Sequence, residues 1–472
     1  MSIHGFVQKL WNLCHILRDD GITYHQYVTE LTYLLFIKLL KETGQEDNLP
    51  TRYRWDQLVA AEGEACLNLY TQLLYDLGQN ERGFIQKIYA NASTQIQEPR
   101  NLQKLIRAIN ELDWYHADVE GLGDLYEGLL AKNASEKKSG AGQYFTPRPL
   151  INVMVKLINP QPKERCHDPA AGTFGFMVAC DRHVRALTNH YRDLTEEEVS
   201  FQQTEAFTGS ELVPDTHRLA LMNALLHNIK GDIRLEDSLA KADSSSPLYD
   251  VILTNPPFGA KKGGERSLRD DLPFPSNNKQ LNFLQHIYLS LLPNGLSRAA
   301  VIVPDNVLFH EGDGQKIRTD LMEKCDLHTI LRLPKGIFYA PGVHTSVLFF
   351  TRGCEDQGNT REVWYYDLRS EMPVYGKKLP LSEDCFTVFC DAYLASDRKA
   401  VQDPRWSSYS RQQIRDNHDN LDLGLIKEGV THPPSFDPES LAEEALHKLE
   451  QATSHLHILL EELKRRGKGR SL

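Results

Sequence analysis

Four short apolar runs, at residues 249–254 (YDVILT), 299–303 (AAVIV), 328–333 (HTILRL) and 345–350 (TSVLFF), constrain this chain more than any other feature. Each is too short to stand as a helix, and none alternates cleanly as a strand facing water on one side does. Runs of this kind are strands buried on both faces. Helical patterns separate them. The segment after residue 142 is therefore expected to be α/β, a sheet with helices on both faces. In such sheets ligands sit beyond the carboxyl ends of the strands, so chemistry is sought there.

Residues 1–135 read as a helical domain without strand signals. Phe6, Leu10, Leu13, Cys14 and Leu17 recur at gaps of three and four, or fall next to a residue that does. Val28, Leu31, Leu35 and Leu39 repeat the pattern, as do Leu102, Leu105, Ile106 and Ile109; this is the period of an amphipathic helix. A polar loop at 133–142 (NASEKKSGAG) is expected to end it. The α/β domain is assigned to 136–430, with no clear pattern over 355–430. Pro433, Pro434 and Pro438 then mark a linker, and 431–472 reads as a C-terminal helix with a basic tail. Leu446, Leu449, Thr453, Leu456, Leu460 and Leu463 form a heptad seam that calls for a facing helix, and Lys464, Arg465, Arg466, Lys468 and Arg470 follow.

Charge narrows the partners. With 53 Lys+Arg against 64 Asp+Glu the net charge is −11, which disfavours unaided binding to nucleic acid. If nucleic acid is the substrate, a local basic patch or a partner must supply the grip. The eight cysteines contain no CxxC pair, so no metal is expected and buried free thiols in a reducing cytoplasm are. Lys9, His15, Arg18 and Asp19 interrupt the first helix, which is unlike a secretory signal. Lys38 breaks the most apolar run, 31–40, so no membrane span is expected.

Three strand ends carry acids or glycines. Asp168-Pro169-Ala170-Ala171-Gly172-Thr173-Phe174-Gly175 precedes an apolar helix. Its glycines permit close backbone approach to a ligand, or simply a tight turn. It is not a phosphate-binding fingerprint. Glu211 ends a second run, placed for ribose hydroxyls or for the dipole of the following helix. Asp237-Ser238 ends a third. Asn255-Pro256-Pro257-Phe258 follows the 249–254 run directly and is the most specific signal. Proline fixes its own φ and keeps the preceding residue extended, giving a stiff tetrapeptide with an amide, free carbonyls and an aromatic ring.

Asn-Pro-Pro-Phe with an upstream Asp-Pro-Ala-x-Gly resembles the amino-group DNA methyltransferases. Gly142-Gln143-Tyr144-Phe145-Thr146-Pro147 lies ahead of the glycine turn, an order similar to the gamma class of adenine-N6 enzymes. From Ser135 through Gly353 the chain closely resembles the modification subunit of type I restriction-modification systems. The resemblance implies a Rossmann-like S-adenosylmethionine-dependent methyltransferase sheet, with an N-terminal helical domain and a C-terminal helical extension.

It also implies roles. Thr146, with Tyr144 and Phe145, would bind the methionine carboxylate of S-adenosylmethionine, and Asp168, Ala170, Gly172 and Thr173 would line its methionine end. Glu211 would take the ribose hydroxyls; Asp237, with Ser238, would take the cofactor's adenine amine. Asn255 and the Pro256 carbonyl, in the frame set by Pro257, would grip the target adenine's N6. Phe258 would stack on the base, and Phe338, or Tyr339 beside it, from the other side. Lys261, Lys262, Arg266 and Arg269 read as a basic loop holding phosphates or as a solvated surface loop. The implied partners are DNA, a specificity subunit carrying two copies of this chain, and a restriction subunit. Two rival readings are a methyltransferase of another planar amine or amide (RNA guanine or protein glutamine) and a noncatalytic scaffold.

Overall fold

The computed structural model describes residues 3–18, 21–80, 83–111, 119–136, 145–240, 247–258, 269, 271–334, 336–338, 344–369, 375 and 381–424. Residues 1–425 form one compact unit and 426–472 a second. The heptad seam and basic tail fall in the second and lie outside the described residues.

Every described residue of the front 136 is helical or in a connection. Local signals set the helix starts. Thr23 and Gln26 form a capping box ahead of Tyr24–Glu42; Glu98 caps Pro99–Asn110, with proline in its first turn. The expected loop at Asn133 begins later, because the helix Val119–Glu136 continues through it.

Nine strands make one sheet: β1 Cys166–Asp168, β2 Phe207–Glu211, β3 Ile233–Leu235, β4 Val251–Thr254, β5 Arg298–Pro304, β6 Cys325–Arg332, β7 Thr345–Arg352, β8 Glu362–Asp367 and β9 Trp406–Ser410. Their order is β3-β2-β1-β4-β5-β7-β6-β8-β9. β1 to β5 are mutually parallel. β7 is antiparallel to both β5 and β6, β8 runs parallel to β6, and β9 closes the edge antiparallel to β8. β8 and β9 were not legible in the sequence.

Alternate residues of the central strands feed two cores. Val251, Leu253, Ala300 and Ile302 pack with the helices Arg148–Ile158, Gly175–Leu187 and Pro214–Leu226 and with the front helices. Ile252, Ala299, Val301 and Val303 pack with Lys279–Leu289 and Asp313–Lys324. The period of two along a strand produces this division. Strand order reverses between β1 and β4, opening a crevice at their carboxyl ends. All eight cysteines are free; six are buried, but Cys354 is exposed and Cys385 half-buried. No described helix is long and apolar enough to cross a membrane.

Candidate active site

The turn after β1 is built by short-range bonds. Asp168 Oδ1 accepts from the Ala170 amide at 3.0 Å, and the Ala171 amide donates to Ser210 O at 2.9 Å, carrying the β1–β2 pairing one step further. Gly172 has φ +53° and Phe174 φ +67°. A bulky residue in the left-handed region is uncommon; here full burial of the Phe174 ring holds it. Beneath the turn, a Cβ on Gly209 would lie 2.9 Å from Ala171 Cβ and 3.1 Å from the Phe174 ring. Only glycine lets the turn lie that low on β2.

Glu211 ends β2 and folds back over this turn. Its carboxylate accepts from the Gly172 amide at 2.9 Å and from the Val213 amide at 2.8 Å. Further lone pairs remain on the two oxygens. Burial raises its pKa, with the Val213 and Gly172 amides opposing. Asp168, 1% exposed, is pushed up to about 7 by burial, against the Ala170 bond and with Glu211 close by. A buried acid, Asp168, and a half-buried one, Glu211, thus face the turn at Gly172. Past β3, Asp237 Oδ1 accepts from the Leu239 amide at 3.1 Å, and Ser238 Oγ donates to Pro169 O at 2.6 Å. That last bond ties the β3 loop to the β1 turn.

Asn255 leaves the end of β4 with its side chain buried. Its Nδ2 donates to Thr146 Oγ1 at 3.0 Å, across more than a hundred residues of sequence. The bond fixes which way the amide faces. Phe258 meets Phe338 edge to face, ring centroids 6.2 Å apart at 77°. Thr146, Asp168, Glu211, Asp237 and Asn255 thus all sit at or beyond the carboxyl ends of β1–β4, Thr146 through its contact with Asn255. Tyr144, Lys261, Lys262, Arg266 and Tyr339 lie outside the described residues. Arg269 leaves the phosphate-holding loop altogether: it is buried, pairs with Asp271 at 2.8 Å, bonds His286, and donates its amide to Leu239 O.

Sequence reasoning missed the residues behind this layer. Asn223 Nδ2 donates to Thr173 O at 2.9 Å. Arg148 Nη1 donates to Gly175 O at 3.2 Å, and its other terminal nitrogen pairs with Glu127. The one available hint was Arg148's place two residues past Thr146.

The order β3-β2-β1-β4-β5-β7-β6 with β7 reversed, and acids at the ends of β1 and β2, define a Rossmann-like methyltransferase. The N-6 DNA Methylase family profile matches residues 117–431, and the HsdM N-terminal domain profile matches 6–109. The StySPI type I restriction enzyme methylase subunit of Salmonella potsdam is 44% identical over 98% of this chain and 96% of its own. The crystal structure of the EcoKI type I restriction enzyme M protein is 41% identical, covering 97% and 96% of the two chains with TM-score 0.57. A structure from work on complex assembly and conformational transition of the type I R-M system is 26% identical, covers 98% and 99%, and has TM-score 0.76. The chain belongs to the N-6 DNA methylase family and, within it, to the methylase subunits of type I restriction enzymes. Its activity is that of an adenine-specific DNA methyltransferase.

Proposed function

We propose that the cleft beyond β1–β4 binds S-adenosylmethionine and a flipped-out adenine side by side. The glycine turn, buried Asp168 and half-buried Glu211 fit a ligand that carries an ammonium, a sulfonium and a ribose diol. Thr146 takes its carboxylate, Asp168, Ala170, Gly172 and Thr173 its methionine end, Glu211 the ribose hydroxyls, and Asp237 with Ser238 the adenine edge. The cofactor supplies a methyl group on a sulfonium, already a good leaving group.

The observation that carries this reading is the Asn255–Thr146 hydrogen bond. With Nδ2 committed to Thr146, Asn255 Oδ1 is turned to accept. Oδ1 and the Pro256 carbonyl accept hydrogen bonds from the two N6 hydrogens of the target adenine. An adenine amine is a poor nucleophile because its lone pair is delocalised into the ring. Two fixed acceptors localise that pair toward the methyl donor, by electrostatic preorganisation and in-line positioning. Thr146 retains its own hydroxyl proton for the cofactor carboxylate, so one side chain serves both ligands. The base cannot be reached inside a duplex and must be extruded. Phe258 stacks on it, and Phe338 gives up its edge-to-face contact to close from the other side, with Lys261 and Lys262 near the phosphates.

The same reading divides the chain into a helical domain (1–135), a catalytic domain (136–430) and a C-terminal extension (431–472). This last docks on a specificity subunit that supplies sequence readout to two copies of the chain in the cytoplasm. A restriction subunit completes the nuclease form. Labelled methyl transfer to DNA, with and without the specificity subunit, followed by identification of the modified base, tests all of this. N6-methyladenine formed only with the specificity subunit is expected; another modified base, or none, overturns it.

A further inference from the structure

Two arginines, one on each wall of the proposed cofactor cleft, reach into the front helical region. Arg218 lies early in the helix Pro214–Leu226, which starts just past Glu211. It is buried. Its Nε donates to Ile88 O at 2.7 Å and its Nη2 to Ala90 O at 2.9 Å. The Tyr33 ring centre lies 5.1 Å from the guanidinium carbon. Ile88 and Ala90 sit at the end of the front helix Gly83–Tyr89, where carbonyls lack intrahelical partners. The same Pro214–Leu226 helix holds the glycine turn through Asn223 and Thr173 O.

Arg148 serves the opposite wall. It opens the helix that follows Thr146 and Pro147, bonds Gly175 O, and pairs with Glu127 of the helix Val119–Glu136. Burial lowers its pKa to about 10, which leaves it charged at neutral pH. Glu127 is buried and also meets Arg182 at 3.1 Å, and Arg182 in turn pairs with Asp124 and bonds His227. Asp124, Glu127 and His227 are close enough to ligate a metal ion, but two guanidiniums already supply the positive charge there.

We propose that the front helical region sets cofactor affinity by holding both walls of the cleft, through Arg218 on the Glu211 side and Glu127–Arg148 on the Thr146 side. Arg218, Arg148 and Glu127 are positioning residues. Each wall is tied beyond the α/β sheet to acceptors on the front helices, Ile88 O and Ala90 O for Arg218 and the Glu127 carboxylate for Arg148. The two struts differ in consequence. Arg218 braces the helix that starts past Glu211 and, through Asn223, the glycine turn, so its strut bears on cofactor binding, and none of its hydrogen bonds reaches Thr146 or Asn255. Arg148 follows Thr146, which also orients Asn255, so its strut bears on methyl transfer as well as binding. The inference rests on the cofactor assignments proposed above.

The test titrates the full chain with S-adenosylhomocysteine by calorimetry and measures kcat and cofactor KM in the methylating complex. Arg218→Met keeps the stem and removes the donors; Glu127→Gln keeps the shape and removes the charge. Misplacement of a binding group through its support costs on the order of tenfold. Both variants are expected to weaken binding about tenfold, Arg218→Met by raising cofactor KM alone and Glu127→Gln by lowering kcat as well. Arg218→Lys should restore part of the affinity, and it stands in if Arg218→Met does not fold. Arg318→Met is the matched control: Arg318 is equally buried and donates to Asp419 O, Val307 O and His310 O on the other face of the sheet. It should lower the melting temperature and leave affinity unchanged. Loss of affinity in all variants in step with melting temperature overturns the inference. So does wild-type affinity in the strut variants while Glu211→Ala loses binding. Wild-type affinity in Glu211→Ala overturns the cofactor assignment and the inference with it.

Discussion

Replacing Asp168 with Asn should make the cofactor-free protein more resistant to unfolding as pH rises, relative to wild type. Moving the carboxyl's pKa from 3.8 to about 7 corresponds to roughly 4 kcal/mol in favour of the protonated form. The folded state therefore holds a proton that the unfolded state has already released above about pH 4. By linkage, this group's contribution to wild-type stability falls as pH rises from about 4 to about 7 and is flat beyond. Asn cannot titrate. It keeps the oxygen that accepts from Ala170, and any fixed cost of its amide group is the same at every pH. The stability difference between variant and wild type should thus grow by about 3 kcal/mol between about pH 5 and about pH 8. Urea unfolding of the cofactor-free chain at the two pH values measures it. A difference that does not change with pH refutes the argument. S-Adenosylhomocysteine affinity should move the other way. In wild type it should rise with pH through about 7, as Asp168 becomes the anion that faces the ligand's ammonium; in the variant it should be weak and lack that rise.

Asn255→Ala should cost roughly 3 kcal/mol or more in the rate of methyl transfer with little change in cofactor affinity; near-normal turnover in a labelled-methyl assay would remove Asn255 from the target site. Gly209→Ala drives a methyl group into Ala171 and Phe174 and should destabilise by about 1–3 kcal/mol while weakening cofactor binding, read by denaturation and calorimetry. Normal binding there would show that the turn tolerates being lifted. Phe338→Ala should weaken retention of the extruded base by about 1–3 kcal/mol. The assay is 2-aminopurine fluorescence at the target position, and an unchanged signal would exclude Phe338 as a stacking partner.

What the sequence disclosed follows from what each element packs against. β4, β5 and β7 are almost wholly buried, so their runs are apolar without interruption. Asn255 was legible because proline stiffness and a strand end coincide in adjacent residues. β9 (WSSYS) escaped notice because a short, half-exposed edge strand rich in serine shows little apolar pattern, and β8 (EVWYYD), buried between β6 and β9, because its β-prone run is only four residues long between two acids. Arg269 was misplaced for a related reason. Sequence records its charge and its neighbours Lys261 and Lys262, whereas its burial depends on Asp271 and His286 folding round it. Arg218 and Arg148 reach backbone carbonyls far away in the chain, and such contacts leave no pattern of spacing.

The reversed strand β7 has a consequence for synthesis on the ribosome. It lies between β5 and β6 yet follows both in the chain. Until residues 345–352 emerge, β5 and β6 each present an open, strongly apolar edge that no earlier segment in the final fold covers. Open edges of that kind recruit other strands, and long-range pairings close slowly. A nascent chain stalled before Thr345 is therefore the species most exposed to aggregation. Slow codons placed there should lower soluble yield, and the same codons placed far enough downstream of Arg352 for the wedge to have left the exit tunnel should do so much less.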